Sequence, residues 1–390
     1  MKQRCSFWLV LLALLVMAGC ASVETPPLSV SFLPERGEFI AEDGTRMSFH
    51  QALGLAASAD YVILGEGHKN QCDHDMQQRV VAGLVQLGRA PALGLEMVPA
   101  DLQPVLDRFN AGELEPAQME KELDWTATWG YPFSLFAPLF EEARRSGLPF
   151  GALNAPKRLT GKVREQGVEA LSEEEKKYFP STIIGSLPEQ EEMLRSTFAM
   201  HGDIDSFKTR IEGFLLVQSI WETMMAERAN ALRSQTGRPV VVIAGSGHVD
   251  YGWGIPRRIQ LLDPGARVVT LTPVRDVYHY SKELGTASFY CPEGYTSRLG
   301  MTLEVRQSRL VVVEIVPAGR ADLVGIRPGD ILIKAQGRSV RQLMDLHGAG
   351  KLAHDTNKGL LLVFDRSGRR VVADLGKLGI PAKKAANENE

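Results

Sequence analysis

The chain has 390 residues, 44% of them hydrophobic and 23% charged, and its formal net charge at pH 7 is −3. A mildly acidic chain without a basic block gives no support for nucleic-acid binding. At this length one compact core is not expected, and two domains are the natural expectation.

The first twenty residues are organised as a secretory signal peptide. Two basic residues precede the apolar run Phe7–Val16, which is too short to span a bilayer as a mature helix, and small residues then precede Cys20. This end resembles a bacterial lipobox, with Met17 in place of the usual Leu. The resemblance implies acylation of Cys20 and a lipid anchor in the cell envelope. Because Ala21 follows, it implies an outer-membrane protein facing the periplasm. An ordinary signal peptide is the alternative.

Four short runs predict buried strands, because both of their alternating faces are apolar. They are Tyr61–Leu64, Pro91–Leu95, Phe150–Leu153 and Val240–Ala244. Arg267–Leu271 is a fifth candidate. Helical patterns lie between the runs, at Asp73–Leu87 with Asn70 or Asp73 as its cap, and at Ser134–Ser146. Strands that alternate with helices predict an α/β fold with a mostly parallel sheet flanked by helices.

The third and fourth strands are separated by about 85 residues, far more than one crossover helix needs. The helical periodicity of the residues between these two strands predicts a large helical insertion.

From about Leu299 short strands broken by Gly and Pro predict a small, β-rich second domain. The predicted division is a signal peptide 1–19, a tether 20–44, a first domain 45–275, a linker 276–297, a second domain 298–376 and a disordered tail 377–390.

Cys72 and Cys291 are expected to be unpaired, because they fall in different domains or at their junction, although an oxidising compartment would allow them to pair.

Ionisable or polar side chains follow each of the four strands. Glu66 and His68 follow the first, Glu96 the second, Asn154 the third and His248 the fourth. Because ligands bind beyond the carboxyl ends of the strands in an open parallel sheet, we expect these side chains to meet in one cleft. Two imidazoles and two carboxylates suit a divalent metal or an acid/base site, and the sequence does not separate these.

Five sequence blocks, in order, resemble the ChaN-like haem-binding family of the Tiki, TraB and erythromycin-esterase superfamily. Together they cover about residues 45 to 275. The blocks are LGEGH…DHDMQ around Glu66, Leu93–Leu114, Trp129–Leu159, Leu215–Leu232 and Val240–Ile259. The resemblance places Glu66, His68, Glu96 and His248 in a strand-end site, with His74 and Gln77 pointing at it or bracing it. Glu222 stands where Asp is expected.

The resemblance implies two alternative functions. In ChaN-like members it implies haem binding in iron uptake, for which Tyr131, Tyr178, Tyr251 and His201 are the candidate axial ligands. In Tiki-type members it implies metal-dependent peptide hydrolysis. A manganese, cobalt or zinc ion would then be held by Glu66, His68, Glu96 and His248. Whether the protein is an enzyme stays open, and a tethered scaffold with a vestigial site is a third reading.

The second domain resembles a bacterial periplasmic PDZ domain. Leu299, Gly300 and Met301 stand in the carboxylate-binding loop, and Gly325–Leu332 followed by Gly337 is the characteristic turn and strand. The resemblance implies that protein C-termini or internal peptides add a strand to this domain. A spacer or dimer contact is the alternative, and the choice between monomer and homodimer is open. The expected partners are therefore haem, peptides and a membrane.

Overall fold

The computed structural model describes residues 28–201, 204–277, 280–306, 309–341 and 343–378. The predicted signal peptide 1–19 and Cys20 lie outside these residues, as does the chain from 379 onward. Two β-sheets with separate hydrophobic cores organise the described chain. None of the described helices has both the length and the apolar character needed to cross a membrane.

The first sheet contains eight strands. They are β1 (Phe39–Ala41), β2 (Arg46–Met47), β3 (Tyr61–Glu66), β4 (Ala92–Pro99), β5 (Phe150–Asn154), β6 (Val240–Gly245), β7 (Val268–Val274) and β8 (Ala287–Tyr290). Their order is β2-β1-β8-β7-β3-β6-β4-β5, and the strands from β8 to β5 are parallel while β1 and β2 pair antiparallel. All five predicted strands are confirmed. Every residue of β3 and β6 is buried, as the runs without polar alternation predicted.

Two segments of the predicted tether and linker also supply strands to this sheet. β1 pairs with β8, and the buried rings of Phe39 and Phe289 lie 5.9 Å apart between centroids. These strands have three and four residues. Runs this short carry too little alternation to be read from the sequence.

Helices cover both faces of the first sheet and fill the long insertion. Their bounds are Phe49–Ala57, Gln71–Gln86, Gln103–Asn110, Met119–Glu122, Trp125–Thr128, Ala137–Ser146, Lys157–Gln166, Glu173–Lys176, Pro188–His201, Ile204–Thr236 and Ile255–Leu262. Short 3-10 turns occur at Ala100–Leu102, Pro116–Gln118, Phe133–Leu135, Val168–Ala170, Ser246–His248 and Asp250–Gly252. The predicted helical insertion is confirmed, and its longest helix packs on β4, β5 and β6.

The helix Gln71–Gln86 begins at Asn70, whose side chain accepts the N–H of Cys72. Asp73 is therefore not the cap. Its fully buried carboxylate instead pairs with Arg275 and accepts the N–H of Gly67 at 2.7 Å. The start of this helix is thus tied both to the loop after β3 and to the end of β7.

Cys72 and Cys291 form a disulfide, so the expectation of two free thiols is wrong. The error follows from the unrecognised strand β8. Because β8 runs beside β7, it delivers Cys291 to the first turn of the helix Gln71–Gln86, and both cysteines are buried there. The bond closes a separation of 219 residues.

In the described residues, the second sheet has seven strands, and two helices accompany it. The strands are β9 (Gly294–Ser297), β10 (Met301–Arg306), β11 (Arg309–Ile315), β12 (Ile331–Ala335), β13 (Arg338–Ser339), β14 (Gly359–Arg366) and β15 (Arg369–Lys377). Their order is β15-β14-β12-β11-β10-β9, with β13 on β12. The helices are Arg320–Leu323 and Leu343–Asp355. Leu303, Leu310, Leu332 and Phe364 are among the buried residues of its own core.

Candidate strand-end site

The carboxyl ends of β3, β4 and β6 meet at one edge of the first sheet. Glu66 ends β3 directly opposite Gly245, the last residue of β6. The His68 ring lies against Gly245, where an added Cβ would come within 2.7 Å of His68 Cε1. Glu96 accepts the Gly245 N–H at 2.6 Å. The structure therefore brings Glu66, His68 and Glu96 together, and a glycine leaves the room for the imidazole.

The Glu66 carboxylate forms a hydrogen bond with the His68 ring and orients it. His68 Nδ1 lies 2.9 Å from Glu66 Oε1, and the Gln77 amide donates to Glu66 Oε2 at 2.8 Å. The His74 ring contacts the His68 carbonyl oxygen through Nε2 at 3.3 Å. His74 and Gln77 are both buried one turn into the helix Gln71–Gln86, so they brace the site.

His248 forms a second histidine–carboxylate pair on the other side of Glu96. Its Nδ1 lies 3.2 Å from Glu222 Oε1, and its Nε2 lies 3.5 Å from Glu96 Oε1. Glu222 is fully buried. Because Glu222 contacts Nδ1, the ring is oriented with Nε2 toward Glu96. Carboxylate partners commonly fix the orientation of a histidine ring in this way.

Glu222 is the site residue whose role the sequence analysis missed. Its second oxygen pairs with the guanidinium of the fully buried Arg258 at 2.6 Å, and Gln190 donates to the same carboxylate at 2.9 Å. A glutamate inside the apolar stretch Leu215–Leu232 was the available signal, because a charge on a buried helical face needs a partner.

Both site histidines hold protons more tightly than free imidazole. Burial lowers the pKa of His68, but the hydrogen bond with Glu66 and the charge of Glu96 outweigh it, so that pKa is raised. Burial likewise lowers the pKa of His248, and the charge of Glu96 and the hydrogen bond with Glu222 reverse the effect. The pair of imidazoles can therefore donate protons near neutral pH.

An aromatic rim borders the site on the His68 side. The His68 ring lies 4.8 Å from Trp129 and 5.0 Å from Tyr131 between centroids. Lys69 Nζ lies 5.5 Å from the centre of the Tyr131 ring, and Lys157 Nζ lies 5.8 Å from that of Trp129. Trp129 Nε1 is buried and has no hydrogen-bond partner among the described residues. We call His68, Lys69, Trp129, Tyr131 and Lys157 the aromatic rim.

Tyr131 is thus placed at the strand-end site, whereas the other candidate haem ligands are not grouped with it. Tyr178 packs beside a separate cluster of the helical insertion that contains Leu159 and Met224. The side chain of His201 lies outside the described residues. Tyr251 stacks on Trp253, with 4.6 Å between the ring centroids.

The four predicted metal ligands stand as two pairs, Glu66 with His68 and Glu96 with His248. In the described part of the chain no group of three or more His, Cys, Asp or Glu side chains is placed to hold a metal ion. The arrangement as it stands suits hydrogen bonding and proton transfer.

Comparisons with known proteins agree with this architecture. The family described as haem-binding uptake, Tiki superfamily, ChaN matches residues 52–259, more than half of the chain. A solved structure of ChaN from Campylobacter jejuni with cofacially bound haem is 16% identical. It covers 67% of this chain and 98% of that one at a TM-score of 0.53, which supports the fold.

Two further likenesses are partial. The chloroplastic protein RETICULATA-RELATED 5 of Arabidopsis thaliana is 26% identical over 60% of this chain, which spans about a third (34%) of that protein. The PDZ domain of HtrA3 is 21% identical and covers 22% of this chain and 84% of that domain at a TM-score of 0.18, too low to support an argument. The family match over residues 52–259 is decisive, and the chain belongs to the ChaN family of haem-binding uptake proteins in the Tiki superfamily.

Proposed function

We propose that the protein is a lipid-anchored haem-binding protein that holds haem on the aromatic rim and takes peptides with its second sheet. The observation that carries the haem proposal is the contact of Tyr131 with His68, because it joins two side chains that can ligate iron at the predicted cleft. The family match supports the same ligand class.

The residues of the rim fit haem chemically. Haem would supply an iron, an apolar plane and two carboxylates. The phenol of Tyr131 or the imidazole of His68 can meet the iron, and Trp129 offers an aromatic face for the plane. Lys69 and Lys157 are cations of the rim that could meet the carboxylates. Trp129 Nε1 is a buried donor that no acceptor in the described part of the chain satisfies.

The buried carboxylates behind the rim orient its imidazole. Glu66 binds His68 Nδ1 and is itself held by Gln77, so that the ring has little freedom to turn. Such outer partners fix the tautomer of a ligating histidine and raise its basicity. Replacing Gln77 would therefore loosen His68 without touching the ligand.

The test is a titration of haemin into residues 21–390, followed by absorbance, beside elemental analysis of the purified protein. A saturable Soret band that is lost when His68 and Tyr131 are both replaced by Ala supports the proposal. Absence of a saturable band refutes it.

Metal-dependent hydrolysis is the second candidate, favoured by the position of His248 between Glu222 and Glu96. Bound manganese, cobalt or zinc that disappears in the double variant Glu66→Ala/His248→Ala, with cleavage of a peptide substrate, would support this candidate. Metal-dependent hydrolysis would then replace the haem proposal if haemin also failed to bind.

The peptide proposal rests on the loop Leu299, Gly300 and Met301. Gly300 has φ of 80°, and an added Cβ would lie 3.1 Å from the Cα of Gly319, so a larger residue would distort the loop. The edge of β10 that a peptide would join already pairs with β9, from Met301 opposite Ser297 to Glu304 opposite Gly294. We propose that a bound peptide replaces β9 on this edge.

The anchoring proposal rests on Cys20 and the residues before it. Acylation would place the protein on the outer membrane, facing the periplasm. Metabolic labelling with palmitate tests this directly, since the label should enter the wild type and be absent from the Cys20→Ser variant. Equal labelling of the two proteins would refute the anchor.

A further inference from the structure

A cleft of about 500 Å³ lies where the two sheets meet, and its lining contains none of the residues of the aromatic rim or of the loop Leu299–Met301. One wall is the segment Leu33–Arg36 with Tyr290 and Pro292, and the other is the outer face of the second sheet. Val311 and Ile331 face each other across β11 and β12 on that wall, while their neighbours Leu310 and Leu332 fill the core. Much of the cleft is therefore apolar.

The charged end of the cleft is built on a buried carboxylate. Glu304 accepts hydrogen bonds from Arg36 at 3.2 Å and from Arg306 at 2.7 and 3.0 Å, and its side chain is 4% exposed. This bridge fixes two guanidinium groups that line the cleft. Arg36 also reaches Asp75, at 3.6 Å.

The third guanidinium of the cleft, that of Arg309, forms no ion pair with an acidic side chain in the described part of the chain. Arg309 lies directly opposite Arg306 across the β10–β11 pair, and none of the described acidic side chains forms an ion pair with it. Like charges directly opposite each other destabilise a strand pair. Glu304, which lies behind the lining, offsets the charge of Arg306 but leaves that of Arg309, and Glu35 is the acidic residue among the described lining residues.

We infer that this cleft binds a small amphipathic anion, a carboxylate carried on an apolar chain. Its volume lies in the range of small-molecule sites, and such sites combine apolar walls with a few placed polar groups. The carboxylate would pair with Arg309, and the apolar chain would lie along Leu33, Val311 and Ile331. This inference does not depend on the haem or peptide proposals.

The experiment is calorimetric titration of decanoate into residues 21–390, in the wild type and in two variants. Arg309→Ala is expected to weaken decanoate binding by about tenfold or more. Arg338→Ala, which removes an exposed arginine of β13 elsewhere on the same sheet, is expected to leave binding unchanged. Circular dichroism of both variants checks that they fold.

A matched cation, decyltrimethylammonium, tests the required charge. It should fail to bind the wild type, because the cleft would present Arg309 to a like charge. The inference is overturned if decanoate does not bind, if Arg309→Ala binds it as well as the wild type, or if the cation binds equally well. Haemin binding measured on the same variants separates this site from the aromatic rim.

Discussion

Glu222 and Arg258 form an ion pair in which both side chains are completely buried, with 2.6 Å between Oε2 and Nη1. Removing one member of such a pair leaves an uncompensated charge in the interior. Glu222→Ala is therefore expected to lower the free energy of unfolding by about 3–5 kcal/mol, measured by urea denaturation.

The double variant Glu222→Leu/Arg258→Met distinguishes loss of the pair from loss of packing. It should be more stable than Glu222→Ala, because no unpaired charge remains. The exposed pair of Glu173 with Lys176 is the matched control, and Glu173→Ala should lower the free energy of unfolding far less than Glu222→Ala does. Equal losses of unfolding free energy for Glu222→Ala and Glu173→Ala would show that burial of the Glu222–Arg258 pair has no effect on its contribution to stability.

The disulfide joins the helix Gln71–Gln86, which carries His74 and Gln77, to the residue that follows β8. Cys72→Ala/Cys291→Ala is expected to lower the free energy of unfolding by about 2–5 kcal/mol. Haemin affinity should fall as well, because Cys72 lies in the first turn of the helix that carries the bracing residues His74 and Gln77. Denaturation with and without dithiothreitol measures the first effect. Detection of two reactive thiols, at Cys72 and Cys291, in the unreduced, denatured chain would disprove the bond.

Asp250 is expected to make the free energy of unfolding depend on pH. Burial raises its pKa to about 7, with the charge of Arg275 opposing, and its Oδ1 finds no hydrogen-bond partner in the residues that the structure describes. An acid whose pKa is higher when folded destabilises the fold as pH rises, here from about pH 4 to about pH 7. The raised pKa values of His68 and His248 act in the same direction above about pH 6.5, since stability is lost as pH rises through them.

Asp250→Asn should remove the contribution of the acid. Relative to the wild type, the variant should gain about 4 kcal/mol of unfolding free energy between pH 4 and pH 8, whatever its absolute stability. Urea denaturation across that range measures the difference, and Asp355→Asn is the control at an exposed position. A parallel pH profile for Asp250→Asn and the wild type would count against the buried acid.

Strand β9 should limit peptide binding by the second sheet. Tyr295→Pro removes an N–H in β9 and disfavours the strand, so a fluorescein-labelled hexapeptide ending in a free valine carboxylate should bind about tenfold more tightly or better. Fluorescence anisotropy measures this, and Tyr295→Ala is the control that keeps the strand.

Hydrogen exchange separates the two parts of that prediction. If the β10 amides are protected in the wild type and exposed in Tyr295→Pro, β9 covers the edge, whether or not the peptide binds. A peptide that binds neither protein would then refute peptide recognition alone. Unprotected β10 amides in the wild type would refute the covering.

The sequence predicted the parallel strands and the site residues at their ends for a physical reason. Buried strands are continuous apolar runs, and their carboxyl ends must meet at one edge. Glu66, Glu96 and His248 were found in this way. Asp73 and Cys72 were misread, because their partners Arg275 and Cys291 lie more than 200 positions away along the chain. β9 was missed, since a four-residue strand has little pattern to read.

The measurement closest to the central claim compares Tyr131→Phe with its matched control Tyr178→Phe in a haemin titration. Tyr131 contacts His68 at the strand-end site, whereas Tyr178 packs in the helical insertion. Tyr131→Phe should shift the Soret band or weaken haemin binding, and Tyr178→Phe should behave as the wild type. The reverse pattern, with Tyr178→Phe altered and Tyr131→Phe unchanged, would place haem on the helical insertion and not on the aromatic rim.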